Sequence, residues 1–272
     1  IIDETSVGDF LTFLSLDLKN SGASSILVRA DNTVKIIDCI LRDDPVDIDQ
    51  NAFIAHCTFL TGAGVALTLH GGTVVFCDFS GVGSGISHIS GLPLYVGYNG
   101  ISLSSASSGF GIQCNTHASI IGNAIYGNAG TGSGITSVAA VILGAIMNNA
   151  VSGVSGAGGK GIVVASGVTV NLYGGNSAND NTTNFDTGSG TLVHDLGGNV
   201  TTAVLTSPST GDFSSTGDGL DGGVPAASPN FAGQYNLNIG ALMSVAAGGG
   251  GEPFGVSQPT FIGGGPFVPV PY

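Results

Sequence analysis

The sequence predicts an all-β domain built as a parallel β-solenoid, in which short strands stack turn upon turn. Helical periodicity is poor along the chain, whereas short β-branched runs separated by glycine and asparagine recur. These runs return with a loose period, which is typical of a repeat architecture. Glycine contributes 47 of the 272 residues, as expected of a chain with many turns.

One series of motifs places a small residue at the centre of an apolar run. Its members are residues 37–41, 55–59, 75–79, 121–125 and 142–146. The first three are centred on Cys39, Cys57 and Cys77, which are 18 and 20 residues apart. We expect an inward-facing ladder of like residues on successive turns, formed by Cys39, Cys57, Cys77, Asn123 and Gly144.

A second series pairs glycine with a β-branched residue. Its members are Gly64-Val65, Gly85-Ile86, Gly111-Ile112, Gly134-Ile135 and Gly161-Ile162, with spacings of 21, 26, 23 and 27 residues. Together the two series predict two short strands per turn and about seven turns between residues 24 and 186, stacked about 4.8 Å apart. A group of asparagines fits either left-handed corners or amide ladders, namely Asn123, Asn128, Asn148, Asn149 and Asn176.

The repeat at residues 119–128 resembles the turn of the right-handed parallel β-helix repeat proteins, the pectate-lyase-like superfamily. Residues 196–199, 211–213, 221–223 and 239–241 are similar to a C-terminal ending that is common among its bacterial members. The resemblance covers about residues 24–243 and implies a single-stranded, right-handed β-helix with its closing region. The superfamily includes lyases, hydrolases, phage tailspikes, adhesins and inert surface proteins, so the resemblance leaves the function open.

Residues 1–23 are expected to form an N-terminal cap or pairing segment. Leu14, Leu16 and Leu18 alternate with polar residues and predict a strand. Ser6 and Asp9 offer the alternative of a capped short helix. Either structure would cover the first turn or pair with a neighbour, because the end of a solenoid leaves an open sheet edge.

Residues 244–272 predict a glycine-rich linker followed by an extended tail. Five of the ten prolines fall within the last 20 residues. Apolar side chains are spaced along this tail: Phe254, Phe261, Phe267, Val268, Val270 and Tyr272. We expect the tail to dock along a neighbouring subunit by strand addition or polyproline-type contact, and the alternative is that it folds back onto its own solenoid.

The charges are concentrated at the two ends of the chain. The formal net charge is −13, yet residues 51–179 contain one acid, Asp78, and one base, Lys160. Such a middle is either solvated by Ser, Thr and Asn or covered by neighbouring subunits or glycans. Five basic residues are too few for nucleic-acid binding by counterion release.

The composition favours an extracellular or cell-surface location. No apolar run is long enough to predict a transmembrane segment. The chain begins with Ile1 rather than methionine, and we expect a processed mature protein.

We expect no catalytic activity. Lyases of the resembled superfamily use clustered carboxylates to hold Ca²⁺ with an Arg or Lys base, and its hydrolases use two or three Asp with other polar residues. Asp78 and Lys160 match neither arrangement. Polyanionic substrates would also be repelled by the net negative charge.

The sequence offers two weaker candidate sites, one for Ca²⁺ and one for glycosylation. Four carboxylates within seven residues, Asp43, Asp44, Asp47 and Asp49, are candidate Ca²⁺ ligands, although an exposed acidic turn at Pro45 is favoured. No other cofactor is expected. Asn181 and Asn199 lie in N-x-Thr patterns and are possible glycosylation sites.

The cysteines and histidines are expected to be structural. Neighbouring ladder cysteines would come within disulfide range, but buried free thiols are favoured, and Cys114 falls in the other strand series. His56 and Cys57 are adjacent on a strand and would point to opposite faces, so that they could not share a metal.

These observations predict a structural subunit of an extracellular filament or surface assembly, whose partners are copies of itself. The alternative is a carbohydrate-binding adhesin or a phage tailspike-like β-helix, which would bind surface polysaccharide and which a groove of stacked aromatics would favour. The third and least favoured hypothesis is that the protein is a polysaccharide lyase or hydrolase.

Overall fold

The computed structural model describes residues 2–4, 11–19, 26–30, 34–42, 45–60, 62, 64–115, 117–138 and 140–215. This part of the chain contains β-strands, one 3₁₀ turn (η1, Pro208–Thr210) and no α-helix. Its parallel strands are stacked as a β-solenoid, which confirms the predicted fold class. The predicted tail lies outside the described residues.

The strands follow one another in sets, one set per turn. The sets of the N-terminal half are β1 (Ile2–Glu4), β2 (Leu11–Leu14), β3 (Asp17–Lys19); β4 (Ile26–Ala30), β5 (Val34–Ile37), β6 (Ile40–Arg42); β7 (Val46–Ala55), β8 (Thr58–Leu60); β9 (Val65–Val75), β10 (Asp78–Val82); and β11 (Ser84–His88), β12 (Leu94–Gly97), β13 (Gly100–Leu103).

The remaining sets complete the solenoid. They are β14 (Phe110–Cys114), β15 (Ala118–Ile121), β16 (Ala124–Tyr126); β17 (Ser133–Ser137), β18 (Ile142–Met147), β19 (Ala150–Ser152); β20 (Lys160–Val163), β21 (Thr169–Gly174), β22 (Ser177–Asn179); and β23 (Thr183–Asp186), β24 (Thr191–Asp195). Seven complete turns therefore lie between β4 and β22, in agreement with the predicted number.

Each turn has three faces rather than the two predicted strands. The first two faces belong to one 16-stranded sheet, because the long strands β7 and β9 each run through both of them. The third face is an 8-stranded sheet in the order β22-β19-β16-β13-β10-β8-β6-β3. The prediction missed one face because its strands are only three to five residues long, too short for a visible alternation.

The core consists of columns of apolar side chains, one column per inward position. On the third face the rings of Phe59 and Phe79 stack with centroids 4.3 Å apart. This column contains Leu41, Phe59, Phe79, Ile101, Ile125, Val151 and Ala178, all of them buried. Since each turn covers the columns of the turn before it, the core is built by stacking.

A sharp corner separates the second face from the third in every turn. The first corner residue has a left-handed backbone, as at Asp38 (φ 54°), His56 (φ 54°) and Asn148 (φ 56°). The second corner residue points inward, and its column reads Leu16, Cys39, Cys57, Cys77, Asn99, Asn123, Asn149, Asn176 and Asn199. Cys39, Cys57, Cys77 and Asn123, the residues of the predicted ladder, lie in this column, with Asn99 between Cys77 and Asn123.

Gly144, which was predicted to follow Asn123, is not in this column. Asn123 donates to the side-chain oxygen of Asn149 on the next turn, whereas Gly144 lies within β18 beside Ser119. The motif at residues 142–146 was matched five residues too early, because turn lengths vary and both segments are small and apolar. The predicted asparagines divide between the two roles: Asn128 and Asn148 have left-handed backbones, and the other three form the amide ladder.

The glycine series has a steric cause. A Cβ on Gly134 would lie 2.2 Å from Val151 Cγ1 and 2.8 Å from the Gly161 carbonyl oxygen. The same restriction holds at Gly85, Gly111 and Gly161, each of which faces a residue of the third-face column. Gly64-Val65 does not belong to the series, because Ala66-Leu67 is the pair in register with Gly85-Ile86.

The segment predicted as a cap contributes strands to the solenoid. β1, β2 and β3 pair in parallel with β4, β5 and β6, so the strand alternative holds at Leu11–Leu14 and Asp17–Lys19. Ser6 and Asp9 lie outside the described residues.

After the last turn the chain folds back as a strap over the outer side of the third face. The strap, residues 202–215, contains β25 (Leu205–Ser207) and β26 (Asp212–Ser215), which pair antiparallel. Val204, Leu205 and Phe213 are buried against Ala124 and Ala150. The nearly uncharged middle of the chain is therefore partly covered by its own C-terminal region.

Candidate assembly interface

The solenoid ends at its C-terminal side in two edge strands. β23 and β24 each pair with a neighbouring turn on one side, and in the described chain no strand pairs with their other side. Leu192 and Phe185 are half-buried on the core cluster, while Val193 is 49% exposed. The apolar columns, which elsewhere are covered by the next turn, are therefore accessible at this end of the solenoid.

The N-terminal side carries the first members of the same columns. Leu11, Phe13 and Leu18 are half-buried and pack against the core, and Leu16 heads the corner column at 42% exposure. Phe13 pairs with Ile36 and so begins the second-face column. The two ends thus present complementary positions of one repeating pattern.

The amide ladder reaches the C-terminal end. The backbone N–H and the side chain of Asn176 both donate to Oδ1 of Asn199, at 3.0 and 3.2 Å. Each preceding asparagine uses its Nδ2 a second time, as Asn176 does with the carbonyl oxygen of Ile146. Asn199 ends the ladder, because the chain then passes to Val200 and the strap.

One charged residue occupies a core position at this end. Asp195 of β24 is in register with Tyr173, which is 3% exposed and belongs to the core cluster. The carboxylate accepts a hydrogen bond from the Gly197 N–H at 2.9 Å and is itself exposed. Burial raises the pKa of Tyr173, and the Asp195 charge acts in the same direction.

An outward column of aromatic rings follows the corner on the N-terminal half. Phe76 stacks on His56 and on Tyr98, with ring centroids 5.3 and 5.5 Å apart and planes within 12°. Phe76 is 48% exposed and Phe53 of the neighbouring strand is 37% exposed. Because the ring faces pack on one another, the surface presents mainly ring edges.

The structure describes two of the four predicted Ca²⁺ ligands. Asp47 and Asp49 lie within β7, whereas Asp43 and Asp44 are outside the described residues. Asp47 is in register with Leu27 and Thr68 on the first face. Among the described residues no group of three His, Cys, Asp or Glu side chains is arranged to hold a metal.

The four cysteines are buried as free thiols. Burial raises the pKa of Cys77 and of Cys114, so neither is activated as a nucleophile. His56 is exposed while Cys57 is buried, which confirms that the two point to opposite faces. His88 is fully buried and satisfied, with Nε2 3.0 Å from the His70 carbonyl oxygen and Nδ1 accepting from the Asn115 N–H.

Both predicted glycosylation asparagines are engaged in hydrogen bonds. Asn181 accepts from the Val154 N–H and donates to the Val151 carbonyl and to Asn184. Asn199 holds the end of the amide ladder. The predicted tail contacts Phe254, Phe261, Phe267, Val268, Val270 and Tyr272 lie outside the described residues.

Sequence reasoning missed Asn99, Asp195 and the aromatic column. Asn99 lies 22 residues after Cys77, and this spacing, which follows those of 18 and 20 between the cysteines, is the signal that could have found it. The described chain contains no helix long and apolar enough to cross a membrane.

No family model matches the sequence, and neither a curated protein nor a solved structure does.

Proposed function

We propose that this chain is a non-catalytic structural subunit of an extracellular filament or surface assembly, which self-associates through the solenoid ends and the C-terminal tail. The observation that carries this proposal is the pair of edge strands β23 and β24, whose outer side is unpaired in the described chain. Unpaired sheet edges are templates for another strand.

A second copy of the chain is the partner that fits this edge best. Its first turn presents Leu11 and Phe13 and its last turn presents Leu192, all of which pack against the same core cluster. Such a contact joins different surfaces of the two copies. Because a head-to-tail contact that does not close on itself repeats indefinitely, it produces a filament.

The chemistry of the solenoid body supports a structural rather than a catalytic role. Asp78 and Lys160 lie on different strands, β10 and β20, and Lys160 is ion-paired with Asp186 at 2.6 Å. A solenoid body with few charges and a stacked apolar core supports a structural role in a surface assembly. The extracellular location, the right-handed winding and membership of the pectate-lyase-like superfamily belong to the same proposal, and rest on composition and on the repeat.

The experiment is electron microscopy of the purified full chain, combined with analytical ultracentrifugation. Filaments or sheets are expected, and deletion of residues 248–272 should weaken them. Leu192→Asp, which places a charge on the core-facing side of the edge strand β24, should abolish the contacts between solenoid ends. Val193→Asp, the adjacent and outward-facing position, is the matched control. Discrete monomers or compact trimers at every protein concentration would overturn the proposal.

Carbohydrate binding is the second candidate, and the exposed column of His56, Phe76 and Tyr98 favours it. Sugar rings stack on open aromatic faces, and here the faces between neighbours are occupied at 5.3 and 5.5 Å. A sugar would therefore have to bind at ring edges or at Phe53. Affinity electrophoresis in polysaccharide gels, with Phe53→Ala and Phe76→Ala, tests this candidate directly.

A further inference from the structure

The last strand of the solenoid places a carboxylate where seven earlier turns have an aliphatic or phenyl side chain and the turn before it has Tyr173. Asp195 continues the second-face inward column through its register with Tyr173. The earlier members of this column are Phe13, Ile36, Ile54, Val74, Val96, Ile120, Ile146 and Tyr173. Paired residues in a parallel ladder share a face, so Asp195 belongs to the core side of its strand.

A further turn stacked on β24 would bury this carboxylate. In an end-to-end contact that continues the columns, the position after Asp195 would be filled by Phe13 of a second copy, because Phe13 begins the column that Asp195 ends. A phenyl ring offers a carboxylate neither a hydrogen bond nor a counter-charge. Burial of an unpaired carboxylate is strongly unfavourable, and the Gly197 N–H supplies its one hydrogen bond in the described chain.

We propose that Asp195 is a gatekeeper that holds the end-to-end contact between copies weak. The inference rests on the proposed self-association through solenoid ends. Inward-pointing charges on edge strands are a known means of restraining edge-to-edge pairing. With this charge in place, solenoid ends do not stack irreversibly, and assembly depends on additional contacts such as those of the C-terminal tail.

The test compares full-length wild type, Asp195→Leu, Asp195→Asn and the control His194→Leu by sedimentation velocity over a range of concentrations. His194 is exposed and in register with Leu172. Asp195→Leu should associate at least about tenfold more tightly than wild type. Asp195→Asn should fall between them, because it removes the charge and keeps a polar group. His194→Leu should match wild type.

The outcomes separate this inference from the proposed function. If wild type associates and both Asp195 variants associate equally, the gatekeeper is refuted and the proposed function stands. If Asp195→Leu associates and wild type stays monomeric, the gatekeeper stands and the filament proposal fails for the natural chain. If no variant associates, both are refuted. Circular dichroism and melting curves establish that each variant is folded, and Asp195→Asn decides the matter should Asp195→Leu misfold.

Discussion

The backbone N–H and the side-chain Nδ2 of Asn123 both donate to Oδ1 of Asn149, each at 3.0 Å. The second Nδ2 proton of Asn123 goes to the Val96 carbonyl oxygen at 3.0 Å. Oδ1 of Asn123 in turn accepts from the backbone and the side chain of Asn99. One buried amide thus satisfies the Asn99 N–H and the Val96 carbonyl oxygen of the preceding turn, and it links the asparagines of three successive turns at this corner.

Replacing Asn123 by alanine should destabilise the protein by about 2 to 5 kcal/mol. The substitution removes the acceptor for the Asn99 N–H and the donor to both the Val96 carbonyl oxygen and Asn149. Asn123→Asp should be at least as harmful, because a carboxylate cannot donate to Asn149. The measurement is the urea midpoint followed by far-ultraviolet circular dichroism.

The matched control for this substitution is Asn171→Ala. Asn171 lies on β21 and is exposed. Its removal should change stability by less than about 0.5 kcal/mol. Equal effects of the two substitutions would show that the amide ladder contributes nothing specific.

The cysteine half of the corner column could be predicted from sequence and the asparagine half could be predicted only in part. Cys39, Cys57 and Cys77 repeat one residue type at similar spacing, which makes the column visible. The column then changes to asparagine, and the separations of successive members vary from 22 to 27 residues. Variable outward loops hide the register of a solenoid, because they change the period without changing the stacked strands.

In the glycine series a side chain is excluded by steric contacts and not by backbone strain, because Gly134 does not have a left-handed backbone. Gly134→Ala should destabilise the protein by about 1 to 3 kcal/mol, because the new Cβ would lie 2.2 Å from Val151 Cγ1. Val151→Ala in the same chain removes Cγ1 and should relieve the part of this loss that comes from the contact with Val151. The remainder reflects the Gly161 carbonyl oxygen at 2.8 Å, which cannot move away as a side chain can. A double-mutant cycle measures this coupling.

Gly188→Ala is the control for substitutions in the glycine series. A Cβ at Gly188 meets nothing within 4 Å, and the residue does not need a left-handed backbone. The substitution should be neutral or stabilising by up to about 1 kcal/mol. Independence of the Gly134 and Val151 effects would contradict the steric explanation.

The strap should open as a unit separate from the solenoid. Phe213 covers Gly100, with its Cδ2 2.9 Å from the place that a Gly100 Cβ would take, and its cluster is distinct from the main core. Phe213→Ala should destabilise the strap by about 3 to 5 kcal/mol. Proteolysis and amide exchange of residues 202–215 should accelerate, while the circular dichroism of the solenoid is retained.

Ser209→Ala, at an exposed position of η1, is the control and should leave strap exchange unchanged. If Phe213→Ala lowers the global unfolding midpoint without any selective exchange in the strap, the strap is part of the cooperative core. The strap could not be predicted from the local sequence around Phe213. Its place depends on the outward column of Gly100, Ala124, Ala150 and Ser177, whose small side chains leave room for it.

Buried thiols and phenols predict a loss of stability in alkali. Burial raises the pKa of Cys77, Cys114, Tyr95, Tyr98 and Tyr173 above ordinary values. In the unfolded chain these groups ionise near about 8.5 for Cys and about 10 for Tyr, while in the native state they stay protonated. The unfolded state therefore binds fewer protons, and the free energy of unfolding falls as the pH rises through this range.

Urea midpoints measured from neutral pH to about pH 10 should decline steadily in the wild type. Cys114→Ala removes one buried thiol that resists ionisation, so the early part of the decline, where thiols titrate, should become shallower. Ser155→Ala, an exposed position without an ionisable group, should reproduce the wild-type slope. A wild-type stability that is flat or rising over this range would show that these groups are as accessible to solvent in the folded chain as in the unfolded one.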